Sequence, residues 1–118
     1  MTPIRENLDD LLERMVVSVP ELKAAALITR SGIIIASTFP EIDEMKLGGM
    51  TIAFFHLAER AILEMRRGEF EQIFIKGNRG YLLFVEVEPD VVLVASLMDI
   101  RGFLNLNWRI RERILKLL

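Results

Sequence analysis

Cysteine is absent from the 118 residues, so there is no disulfide framework, thiolate nucleophile or Cys-based zinc site. Histidine occurs once, and the residues four positions either side of His56 are Ile52 and Arg60. A metal site or general base on a helix needs companions at that spacing, so His56 reads as a surface or interface residue. A phosphate loop is missing too. Gly77-Asn78-Arg79-Gly80 lacks the G-x-x-x-x-G-K-[ST] spacing, and Gly48-Gly49 runs into Met50 and Thr51. Paired carboxylates such as Asp9-Asp10 and Glu86/Glu88 have no second cluster to complete a site, and Ser31 and Ser37 have no base. Neither enzymatic activity nor a cofactor is expected. No apolar run approaches the ~20 residues that span a bilayer. The start, Met1-Thr2-Pro3-Ile4-Arg5-Glu6, lacks the basic and apolar segments of a signal peptide. A cytoplasmic protein is the expectation.

What is abundant is apolar surface. Apolar residues make up 52% of the chain and the mean hydropathy is +0.33, high for one domain spanning residues 1–118. Part of that excess belongs in interfaces. The net charge of −2 is spread unevenly. Residues 1–100 carry ten Lys/Arg against sixteen Asp/Glu, or −6, and residues 101–118 carry five against one, or +4.

Thr2-Pro3 reads as an N-cap followed by Pro at the first helical position, and Ile4, Leu8, Leu11, Leu12 and Met15 recur at helical spacing until Pro20. Two apolar runs, residues 24–29 and 33–37, flank Arg30-Ser31-Gly32 and form a hairpin covered on both faces. A helix over residues 43–67 follows, its first turns weakened by Gly48-Gly49 so that regular helix starts near there. Arg66-Arg67-Gly68 stops it. Residues 70–76, 81–87 and 91–98 are three strands joined by tight turns, a meander with the first strand at one side. From Asp99 onward a last helix is amphipathic and basic, with Trp108 as a packing residue. The order α-β-β-α-β-β-β-α predicts an α/β sandwich of the α+β class. Its five-stranded antiparallel sheet has the long helix on one face and the terminal helices on the other.

The long helix is apolar over too much of its circumference. At 100° per residue, Leu57, Met50, Ala61, Phe54, Leu47, Met65, Ala58, Thr51, Ile62 and Phe55 fill an arc of about 160°, where a surface helix needs about 100°. Met45, Ile52 and Leu63 add a narrow line beside His56 on the opposite side. Such a helix needs its own sheet and a neighbour outside the chain. The strand at residues 70–76 is apolar, free of Pro and charged only at its ends, so left open it is an aggregation hazard. Pairing with its symmetry mate removes that hazard.

The order and punctuation resemble the Roadblock/dynein light-chain family over essentially the whole chain. The matching parts begin with Val19-Pro20 closing the first helix. The stretch Ala25-Ala26-Leu27-Ile28-Thr29-Arg30-Ser31-Gly32-Ile33-Ile34-Ile35-Ala36-Ser37 resembles the family's G-A-A-L-V-T-R-D-G-L-V-I-A-S hairpin. It departs at Ser31, where Asp is commoner, and at Lys23-Ala24, where Gly often sits. Gly80-Tyr81-Leu82-Leu83 and the Asp99-to-Gly102 entry to the last helix also match. The resemblance implies a non-catalytic module. Bacterial and archaeal members regulate or scaffold Ras-like GTPases, and eukaryotic ones serve dynein and lysosomal GTPase platforms. It also implies dimers in which the long helices lie side by side and the sheets join through the third strand.

Together these readings predict a homodimer with Phe54, Leu57, Ala58, Ala61, Phe70, Gln72 and Phe74 at its interface. A small Ras-like GTPase would be bound through Met45, Ile52, His56, Glu59, Arg60 and Leu63. The alternative is a scaffold subunit with no effect on nucleotide state. A ligand sensor is disfavoured because the expected core is uniformly aliphatic and lacks convergent polar groups. The basic tail (Arg109, Arg111, Arg113, Lys116) fits a solvated helix face, or contact with an acidic partner or phospholipid surface. Nucleic acid is not an expected partner, because no aromatic residues alternate with the basic ones as stacking platforms.

Overall fold

Proline at its first turn and apolar residues at three- and four-residue steps make the first helix, α1 (Pro3–Ser18), amphipathic. Leu8, Leu11, Leu12 and Met15 are its buried side, and an exposed Arg14–Asp10 pair at 3.4 Å decorates the other. The computed structural model describes residues 3–40 and 43–99. The expected last helix, with Trp108 and the basic residues, lies outside the described residues, as does Thr2. After α1 come β1 (Leu22–Thr29), β2 (Ile34–Ser37), α2 (Glu44–Glu64), β3 (Gln72–Gly77), β4 (Gly80–Glu88) and β5 (Val91–Leu97). All strand pairs are antiparallel, in the order β2-β1-β5-β4-β3.

The near-continuous apolar strands are explained by helices on both faces. On the α1 side, Ala25, Leu27, Leu83, Val85, Leu93, Ala95 and Leu97 are buried with Leu8, Leu11, Leu12 and Met15 of α1. On the α2 side the buried set is Ala26, Ile28, Ile34, Phe84, Val92 and Val94 with Leu47 and Phe55. That second layer corrects the expectation of a uniformly aliphatic core. Phe54 meets Phe84 edge-to-face at 5.4 Å between centroids, and Phe55 meets Phe70 likewise at 5.0 Å.

Helix α2 begins earlier and ends earlier than the glycines and arginines suggested. The Asp43 carboxylate accepts the Met45 and Lys46 N–H groups at 3.0 and 3.2 Å, which fixes the start at Glu44. Arg66 adopts φ 55°, so the helix closes at Glu64, and the left-handed geometry recurs at Gly68. Asp43→Ala is expected to cost about 1 kcal/mol, read as a lower urea midpoint at unchanged slope. Gly48 lies inside the helix for a packing reason. A Cβ there would collide with the Gly32 carbonyl oxygen in the β1–β2 turn, where Gly32 itself has φ +91°.

The two sheet edges differ. Thr38 N–H donates inward to Ala25, so the Ser37 N–H points outward, and the Asp9 carboxylate accepts it at 3.3 Å. The four-residue β2 is thus short and partly capped. Strand β3 pairs only with β4 among the described residues, from Gln72 opposite Val85 to Gly77 opposite Gly80. On its outer side no described strand lies beside it.

Candidate interaction surfaces on the long helix

Leu47, Gly48, Thr51 and Phe55 are the buried positions of α2, and the Thr51 hydroxyl is satisfied by donating to the Leu47 carbonyl at 2.9 Å. Two solvent-facing flanks remain. On the first, Leu57 is 68% and Met50 46% exposed, with Ala53 and Ala61 also exposed and Phe54 and Ala58 half-buried. Four of the residues expected at a self-association seam, Phe54, Leu57, Ala58 and Ala61, therefore share one side of the helix. The strand residues expected with them do not extend this patch. Phe70 precedes β3 rather than lying in it, with its ring against Phe55. Gln72 and Phe74 lie opposite Val85 and Leu83, so they belong to the α1 face, where the Phe74 ring stacks on Tyr81 at 5.1 Å.

The second flank carries Met45 at 88% and Leu63 at 74% exposure, with Ile52, His56 and Glu59 between them at helical spacing. Arg60 is set apart from this line. Its Nε donates to Glu64 Oε1 at 2.9 Å on the outer surface.

Behind the second flank stands Arg30, a residue that sequence reading placed only in a turn. Its guanidinium donates to Glu59 and, at 3.2 Å, to Glu86, and it lies 5.4 Å from the Phe55 ring centroid. Its backbone N–H donates to the Asp90 carbonyl at 3.1 Å. One side chain thus ties the β1–β2 turn, β4 and α2 together. Two open grooves flank it, of about 370 Å³ beside Leu63, Glu69 and Phe70 and about 340 Å³ beside Ile52, His56 and Asp90.

The hydrogen bond from Arg30 holds the Glu59 carboxyl below its usual range, aided by the Arg30 charge and opposed by partial burial; Arg30 is raised in turn. Because the folded-state value of Glu59 is depressed, its stabilisation is present above the unfolded carboxylate pKa. It is lost as pH falls through the folded value. The pair is substantially solvated, so Glu59→Gln should cost less than about 1 kcal/mol at neutral pH. Urea titrations of wild type and variant should converge in strongly acidic buffer.

No three His, Cys, Asp or Glu side chains among the described residues are gathered to hold a metal ion, and no described helix is long and apolar enough to cross a membrane. What the surface offers is apolar and charged contact area.

Comparison with known proteins agrees with the fold. "Uncharacterized protein MJ0310" of Methanocaldococcus jannaschii is 32% identical over 76 residues, covering 64% of this chain and 67% of that protein. The solved structure described as "MglB with tetrameric arrangement" superposes with a TM-score of 0.83 at 16% identity, covering 99% of this chain and 91% of that one. Myxococcus xanthus MglB superposes with a TM-score of 0.76 at 16% identity, covering 100% and 95%. The family model for the Roadblock/LC7 domain matches residues 8–96, and the chain belongs to that family.

Proposed function

We propose that the chain is a homodimeric, non-catalytic module of the cytoplasm, acting as one domain over residues 1–118, that binds and regulates a small Ras-like GTPase. The observation that carries this reading is α2 with two exposed apolar flanks. One flank and the outer edge of β3, beside which no described strand lies, suit a two-fold mate, which would bury Leu57 and Met50 and pair with that edge. The Phe54, Leu57, Ala58 and Ala61 side of the helix would then be the seam. Phe70, Gln72 and Phe74 would follow from strand pairing. A structural neighbour described as tetrameric supports self-association as a property of this fold.

The other flank, Met45, Ile52, His56, Glu59 and Leu63 with Arg60 beside it, is then free for the GTPase. The class of partner rests on family membership. Any acceleration of hydrolysis is indirect: the module holds the switch segments so that the GTPase's own groups position the attacking water. Arg60 and Arg66 are not expected to act as an inserted arginine finger.

Binding assays with a candidate GTPase loaded with a GTP analogue or with GDP test the reading. A preference for one nucleotide state is expected, and equal affinity for both overturns a switch reader. Turnover measured on the same complex separates regulation from scaffolding, since an unchanged rate despite binding identifies a scaffold.

A further inference from the structure

The two grooves beside Arg30 have a chemical character of their own. They open at one end of the sheet, where the β1–β2 turn, the β4–β5 turn and the second flank of α2 meet. Leu63 and Ile52 of α2 line them, and two further exposed apolar side chains lie outside the lining, Met45 on the same side of α2 and Ile33, 64% exposed, after the β1–β2 turn. Ile52 bridges these two elements, since its Cδ1 lies against Gly32. The charged lining is one-sided. Glu59, Glu69, Glu86 and Asp90 stand against the single guanidinium of Arg30, which Glu59 and Glu86 already share. That leaves a net charge of −3 along the grooves, four carboxylates against one cation, beside apolar walls that focus the field.

From this we infer that this end of the molecule docks a protein segment in which Arg or Lys side chains alternate with apolar ones. The apolar residues would cover Leu63 and Ile52, which line the grooves. The cations would enter the grooves beside Glu69 and Asp90; neither carboxylate forms a close salt bridge among the described residues, and the charge of Asp90 acts on Arg30 only from a distance. Nucleic acid and anionic lipid carry the wrong charge for the lining. The self-association flank lacks this character, with Lys46, Arg60 and Glu64 of both signs along its rim. The inference rests on the reading of the second flank as a partner surface, but not on the partner being a GTPase.

The test uses the full chain, isotope-labelled for amide spectra, and two synthetic amphipathic peptides with the same leucines, one with Lys and Arg at its polar positions and one with Glu. The cationic peptide should bind at least tenfold more tightly and shift the amide signals of Ile33, Ile52, Leu63, Glu69 and Asp90. Its affinity should fall as salt is added. Glu69→Lys combined with Asp90→Asn should weaken it about tenfold or more without changing the solution mass. Asn suits the φ of 69° at position 90. Equal binding of the two peptides, or shifts confined to Met50, Leu57 and Ala61, overturns the inference. Either of those results leaves the proposed function standing if a GTPase still binds in a nucleotide-dependent way. Failure of every GTPase tested, with the cationic peptide still mapping here, removes that partner class and supports the surface.

Discussion

Gly48→Ala is expected to be among the most damaging single substitutions in the molecule, although alanine is the best helix former and the position lies inside a helix. The added methyl would overlap the Gly32 carbonyl oxygen, a backbone atom that cannot rotate away. Gly32 cannot retreat easily either. It holds the left-handed conformation of the β1–β2 turn, and Ile52, one helical turn beyond Gly48, packs on the same side of it. Relief would require the first turns of α2 to lift off the sheet, opening the layer that buries Leu47 and Phe55. Overpacking against backbone supports a loss of about 3 kcal/mol, well beyond the ~1 kcal/mol that alanine returns through helix propensity. Gly49 supplies the control. It is one residue on and exposed, and a methyl added there would have nothing within 4 Å. Gly49→Ala should therefore stabilise by about 1 kcal/mol. Urea unfolding of the two variants should move the midpoint in opposite directions. A mild effect at Gly48 would mean that α2 does not rest so closely on the turn.

This pair of glycines also marks what the sequence could convey. Composition presents Gly48-Gly49 as a weak helix start, and only the approach of a distant backbone separates a required glycine from a dispensable one. The strands were legible because apolar runs bounded by Ser-Gly, Asn-Arg and Pro-Asp turns have few other solutions. Their assignment to faces was not legible, because a run apolar at every position hides its period of two. The aromatic character of the α2 layer emerged only when Phe84 took one face and Phe54, Phe55 and Phe70 converged on it or on one another. Of the candidate residues, those on α2 could be grouped by angle alone, and the structure keeps Met45, Ile52, His56, Glu59 and Leu63 on one line. Arg60 did not follow, since Glu64 one turn on holds it to the outer side. Arg30 was beyond reach. Its partners Glu59 and Glu86 lie 29 and 56 residues away in sequence, and no periodicity links them.

Leu57→Asp is the substitution expected to abolish self-association while leaving the fold intact. The side chain is 68% exposed in the isolated chain, so a carboxylate there meets water and costs the fold little. In a two-fold assembly the same position occurs twice. Each copy would lose about 2 kcal/mol of apolar burial and would bring an unpaired charge into the seam. The dissociation constant should rise by roughly a thousandfold or more, enough to turn a micromolar dimer into a monomer at working concentrations. Phe54→Asp, on the same flank, should behave differently, because its half-buried ring packs edge-to-face on Phe84 and a carboxylate there invades the α2 layer. Mass measurements paired with thermal unfolding separate the two. Leu57→Asp should give half the wild-type mass with the single-chain fold retained, whereas Phe54→Asp should lose both mass and folded structure. A wild-type chain that stays monomeric at high concentration would remove the seam. The exposed flank of α2 would then be left to a partner of different sequence, because Leu57 and Met50 would still need cover.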